Sequence, residues 1–166
     1  DLARITTLAI TGLNTAAIER LSSTQIQGFT TAQIAQLSSL QLQALTTSQI
    51  ATFSSEQLQA LTPSNITGLN ANQVAALTTT NLPGLQSVDL AAITTEAIVG
   101  LETTDIERLS VIQVKGLTEA QIAVLTSAQI KALTTSNISG LSSAQIAALN
   151  TANVTGLEAA DLAAIT

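Results

Sequence analysis

The chain repeats itself every eight residues from end to end, without a single insertion or deletion. Lettering the octad a to h places a at Ile5, Leu13 and Leu21, and so on to Ile165. All 21 a positions are Leu, Ile or Phe, and all 21 f positions, from Leu2 to Leu162, are Ile, Leu or Val. Position b is Ser or Thr in 14 of its 20 complete octads, and position e is Gln or Asn in 14 of 21. The consensus reads L-[ST]-[ST]-x-[QN]-I-x-[AG].

Eight is a poor period for an uninterrupted α-helix. Two helical turns take about 7.2 residues, so an apolar stripe of period eight would rotate around one long helix. Ser and Thr at b and c would weaken it further. The helix must restart in every octad, and the residues show how. In Leu45-Thr46-Thr47-Ser48-Gln49-Ile50, Thr46 and Gln49 have the spacing of a capping box. Leu45 and Ile50 flank them as a hydrophobic staple. Ser54 with Gln57, Thr126 with Gln129 and Ser142 with Gln145 repeat the pattern. Pro63 falls at c, the first helical residue, where proline is tolerated. All eight glycines fall at h. There they can turn the chain at low steric cost, or allow close packing.

These features predict an all-α repeat solenoid of short capped helices, one per eight residues, running continuously over 1–166 as a single domain. Stacked neighbours would bury a and f in one core, at about 1.5–3 kcal/mol per aliphatic side chain. A β-solenoid is the alternative, because Thr, Ile and Val are common. Against it, the five- and three-residue spacings put a and f on opposite faces of a strand. Pro83, at g, is at odds with a full-length helix. Either that helix is shorter or its octad is distorted.

The octads Leu45–Thr52, Leu125–Ala132 and Leu141–Ala148 (LTTSQIAT, LTSAQIKA, LSSAQIAA) resemble repeat tracts of very large bacterial secreted or surface-associated, adhesin-like proteins. The resemblance implies an extracellular or cell-surface stalk, fibre or adhesive segment, and it transfers no catalytic residue.

Composition narrows the chemistry. There is no Cys, His, Met, Trp or Tyr, and the net charge is −6 with five basic residues. Thiolate chemistry, disulfides and ordinary zinc sites are excluded. Nucleic acid is not expected as a partner, since phosphate binding needs clustered Lys and Arg. No apolar run is long enough for membrane insertion. The missing Cys fits an extracellular location, and the missing Met predicts a segment of a longer chain or a processed product.

No catalytic residue, cofactor or metal ligand emerges, so no enzyme is expected. The acidic stretch Asp89, Glu96, Glu102, Asp105 and Glu107 reads as a solvated face, since those octad positions should point in different directions. Arg4, Arg20 and Arg108 stand at h, which is otherwise mostly small. They are either interface residues or tolerated surface positions. The expected function is a structural repeat module, a spacer or fibre-forming segment of an extracellular bacterial protein. The expected partner is a second copy, end to end or laterally. The alternative is a binding module whose Thr, Ser and Gln rows meet a polysaccharide, ice, another surface or a protein.

Overall fold

A computed structural model describes residues 2–165. Asp1 and Thr166, the outermost residues of the expected 1–166 span, lie outside the described residues. Among those described there are seventeen short α-helices and four 3-10 helices, one element per octad, and no strand. The protein is a helical solenoid, and the β-solenoid is set aside.

A typical α-helix runs five residues, as in Thr47–Ala51. Its start is fixed by the cap. The Gln49 amide N–H donates to Thr46 Oγ1 at 3.2 Å, and the Thr46 N–H donates to Gln49 Oε1 at 2.6 Å. The same reciprocal pairs join Ser54 to Gln57, Thr126 to Gln129 and Ser142 to Gln145. So short a helix is unstable alone, because nucleation is costly. Packing supplies the rest. Position f is sealed from Ile10 to Ile138, with Ile10, Ile50 and Ile130 at 0–1% exposure, and the a residues from Phe29 to Leu141 are nearly as buried.

The octads wind into a superhelix. The helix Thr7–Thr11 packs on Thr31–Ala35, and Thr15–Glu19 packs on Ser39–Gln43, three octads on. The tightest side-chain bonds between turns link residues 28 and 31 apart. One turn therefore takes more than three octads and fewer than four, and equivalent positions drift around the axis from turn to turn.

The backbone decides two readings that the sequence left open. The glycines at h do not turn the chain. No glycine has positive φ, and Gly12 and Gly28 close their helices at φ −82° and −75°. Their second expected role holds where another turn lies beneath them. A Cβ on Gly68, Gly84 or Gly100 would overlap the backbone carbonyl of Ser39, Ser55 or Ala71 in the preceding turn. Pro83 sits in the 3-10 helix Leu82–Gly84. In the sister octad around Ile66–Gly68, the bonds come from the Asn65, Ile66, Gly68 and Leu69 amides, so position g spends none. Proline at g therefore removes no hydrogen bond from an octad wound this way.

Candidate functional site: an amide ladder between turns

From Gln33 onward, position e is buried as well. Gln41, Gln49, Gln73, Gln121 and Gln145 are all at most 5% exposed. A buried primary amide must satisfy both its oxygen and its NH2. The oxygen takes the cap N–H of its own octad. The NH2 reaches into the turn below. Gln41 Nε2 donates to the Ile10 and Leu13 carbonyls at 2.8 and 2.7 Å. Gln121 Nε2 donates to Leu90 and Ile93 at 2.8 and 2.7 Å. Each acceptor pair is the f carbonyl that ends one short helix and the a carbonyl that follows it. The f carbonyl also accepts the N–H of the next a residue, as Ile10 does from Leu13, whereas the a carbonyl would otherwise lie orphaned in the core. One side chain thus starts its own helix and closes the end of another a full turn away. The capping half is local and was visible at three-residue spacing. The bridging half depends on the length of the turn.

The ladder is continuous in two stretches. The first climbs through Gln33, Gln41, Gln49 and Gln57 to Gln73. The second starts at Gln113 and continues through Gln121, Gln129, Asn137, Gln145 and Asn153. Asn is one methylene shorter than Gln, and the backbone adjusts to it. All four Asn residues at e (Asn65, Asn81, Asn137, Asn153) are followed at h by glycine: Gly68, Gly84, Gly140 and Gly156. Three of these octads are wound as 3-10 helix. The glycine lets the turns approach, and at Asn65, Asn137 and Asn153 the shorter amide then reaches its carbonyl. This coupling lies in plain view in the sequence, but it has no meaning until e and h are known to face the same neighbouring turn.

Between the two stretches the ladder fails for a whole turn. Positions e are Asn81, Asp89, Ala97 and Asp105. The Asn81 Nδ2 has no hydrogen-bond partner, and neither carboxylate oxygen of Asp89 has one. Alanine has no donor. Asp105 accepts from the Glu102 N–H at 3.3 Å. Asp89 is 0% exposed and Asp105 is 3% exposed. The acidic stretch is therefore not a uniform solvated face: these two carboxyls point into the wall, while Glu96, Glu102 and Glu107 are exposed. Burial pushes the Asp89 carboxyl from 3.8 up to about 6. Burial also raises Asp105, opposed by the bond from Glu102.

The ALTTAQ repeat family model matches residues 50–87, 98–135 and 130–159, well over half of the chain. The chain belongs to the ALTTAQ repeat family. Read as residues, those six letters fall on positions h, a, b, c, d and e, which carry the small residue, the core, the cap and the clamp. The first two matches of the ALTTAQ repeat are separated by residues 88–97, inside the turn where the ladder fails. No curated protein matches the chain.

Arg4, Arg20 and Arg108 are all exposed. Arg4 and Arg20 lie two octads apart in the first turn, and Arg108 lies far along the solenoid, so the structure does not bring them together. Arg108 lines a shallow groove with Gln59, Pro83, Ser110 and Ile112. Among the described residues no group of three or more acidic side chains converges to hold a metal ion, and no helix is long and apolar enough to cross a membrane.

Proposed function

We propose that this chain is a non-enzymatic structural module, a spacer or fibre-forming segment of an extracellular bacterial protein. The observation that carries this reading is the ladder. The most distinctive polar side chains of the repeat, the buried Gln and Asn amides, are engaged in joining one turn to the next. Chemistry of that kind sets length and rigidity. Stability here is a sum over neighbouring turns, so octads can be added without altering the plan. The few charges and the hydroxyl-rich surface leave little repulsion between like copies. That favours lateral or end-to-end association of this chain with itself.

The same geometry weighs against a flat array of hydroxyls for ice or a polysaccharide. A turn of non-integral octads winds each Thr or Ser row around the axis. The b hydroxyl oxygens are also occupied as caps.

Electron microscopy of the purified chain and of a variant lacking Leu117–Gly140 tests the structural reading. Rods of uniform width that shorten with the deletion are expected, either separate or joined into filaments. A compact particle whose dimensions do not follow octad number would overturn it. So would saturable binding on a glycan array.

A further inference from the structure

The unclamped turn contains two buried carboxyls that can change their hydrogen-bonding character, and Asp89 is the one with no partner for either oxygen. Asp89 stands where Gln stands in the ladder, and at the ladder's spacing the carbonyls opposite it are those of Leu58 and Leu61. An ionised carboxylate can only accept, so it faces two more acceptors and is repelled. A protonated carboxyl is neutral and escapes that repulsion. We propose that the turn containing Asp89 is an acid-closed seam. With the carboxyl protonated, the wall holds a neutral side chain there and the turn stays closed. With the carboxyl ionised, the solenoid opens first at this turn.

Two further observations support it. Both Asp89 oxygens are without partners inside a fully buried side chain. Burial also holds the carboxyl well above the usual range, at about 6, so protonation falls at mildly acidic pH.

The charged groups around this helix are exposed, including Arg108, which lines the groove beside Gln86 and Ser87. The helix Ser87–Ala92 packs on Val111–Gly116 and on Ile66–Gly68. The first carries only Lys115, which is exposed at g, and the second carries no titratable group. The helix Ser55–Gln59 below holds Glu56, and the next octad holds Glu96. Both are exposed. The remaining side-chain bonds across the seam lie at its exposed rim. Ser55 Oγ donates to the Thr80 carbonyl, and Gln86 Nε2 donates to Gln59, each at 3.1 Å.

The sign follows from linkage. The folded chain binds this proton more tightly than the unfolded chain does. The stabilisation is full below the unfolded value near 3.8 and is lost as pH rises through about 6. Hydrogen exchange resolved by peptide, corrected for intrinsic rates at pH 4.5 and 7.5, reads it directly. Protection of residues 78–93 should rise on the order of tenfold or more at the lower pH. Protection of residues 117–130 should change little by comparison. Asp89→Gln should raise protection of 78–93 at pH 7.5 and abolish its pH dependence. Equal responses of the two regions would overturn the proposal, and so would a pH response that survives Asp89→Gln. A carboxyl 13C titration of the wild-type chain gives a second reading independent of the variant. A midpoint near 6 is expected for Asp89, and one near 4 would sink it.

Discussion

Two turns of this solenoid do the same job with different parts. The turn that starts at Gln113 is joined to the one below it by amides, with Gln113, Gln121 and Gln129 each donating to carbonyls 28 to 31 residues back. The turn from Asn81 to Asp105 makes none of these bonds at e, yet it winds on in the same register. What it keeps is close backbone approach at Gly84 and Gly100, as the clamped turn also does at Gly116. A glycine Cα–H lies where the missing Cβ would point, so it is aimed at the carbonyl of Ser55 or Ala71. Such contacts are worth a fraction of a strong hydrogen bond. The core at a and f is equally buried in both turns. Apolar packing therefore sets the superhelix, and the polar ladder decides how firmly each turn is held to the next.

The largest effect should come from breaking the close approach where no amide clamp joins the turns. Gly100→Ala places a methyl group into the Ala71 carbonyl, which is backbone and cannot swing away. A loss of about 3 kcal/mol is expected in denaturant unfolding, at the upper end for overpacking. Gly28→Ala is the control. It lies in the first described turn, where the nearest atom to its Cβ would be the Gln25 carbonyl of its own helix at 3.3 Å. It should be neutral or slightly stabilising through the unfolded chain. Equal losses from the two substitutions would mean that glycine serves helix termination at h rather than contact between turns.

Removing a clamp should cost somewhat less. Gln121→Ala deletes the bonds to Leu90 and Ile93 and the bond from the Thr118 N–H, leaving the Ile93 carbonyl and the Thr118 N–H without partners. About 2–3 kcal/mol is expected, because the orphaned groups cost more than the bonds are worth. Exchange should quicken mainly in the turns on either side, since coupling in a solenoid runs between neighbours. Asp105→Ala, in the unclamped turn, loses only the bond to the Glu102 N–H and should be far milder. A Gln121→Ala variant no weaker than Asp105→Ala would show that the ladder contributes nothing beyond its caps. The exposed pair Lys131–Glu158, at 3.1 Å, is one rim contact whose removal should be nearly silent.

The parts of this architecture that could be read in advance were those whose partners lie within one octad. Thr46 and Gln49 are three residues apart, so the cap needs no knowledge of the fold. The a and f positions declare themselves by composition. The bridging role of Gln49, by contrast, has its partners at Ile18 and Leu21. That distance is set by how many octads close a turn, and the count emerges only when all the short helices pack together. The same gap explains why the role of glycine stayed open. A residue at a helix end suggests a left-handed cap, whereas Gly68 serves a contact with Ser39 that no local pattern reveals. Asp89 looked like surface for the same reason. At e it shares its position with glutamines whose burial the sequence does not show.

The finest test concerns how e and h compensate for each other. Gln129 reaches Val99 and Leu101 at 3.0 and 2.7 Å from an octad that ends in Ala132. Gln129→Asn shortens the reach by one methylene while the Ala132 methyl still holds the turns apart, so the bonds should be lost at a cost of about 1–2 kcal/mol. Ala132→Gly alone should also destabilise, by roughly 0.5–1 kcal/mol, through chain entropy. Together the two changes recreate the Asn-and-Gly octad already seen at Asn137 and Gly140, where the Asn Nδ2 meets Ile106 and Leu109 at 3.0 and 3.1 Å. The double variant should therefore be more stable than the sum of the single losses predicts, by about 1 kcal/mol of coupling. Simple additivity would mean that the pairing of Asn with Gly in all four octads does not arise from reach. The spacing between turns would then be set by the a and f core alone, with the amides merely tolerating it.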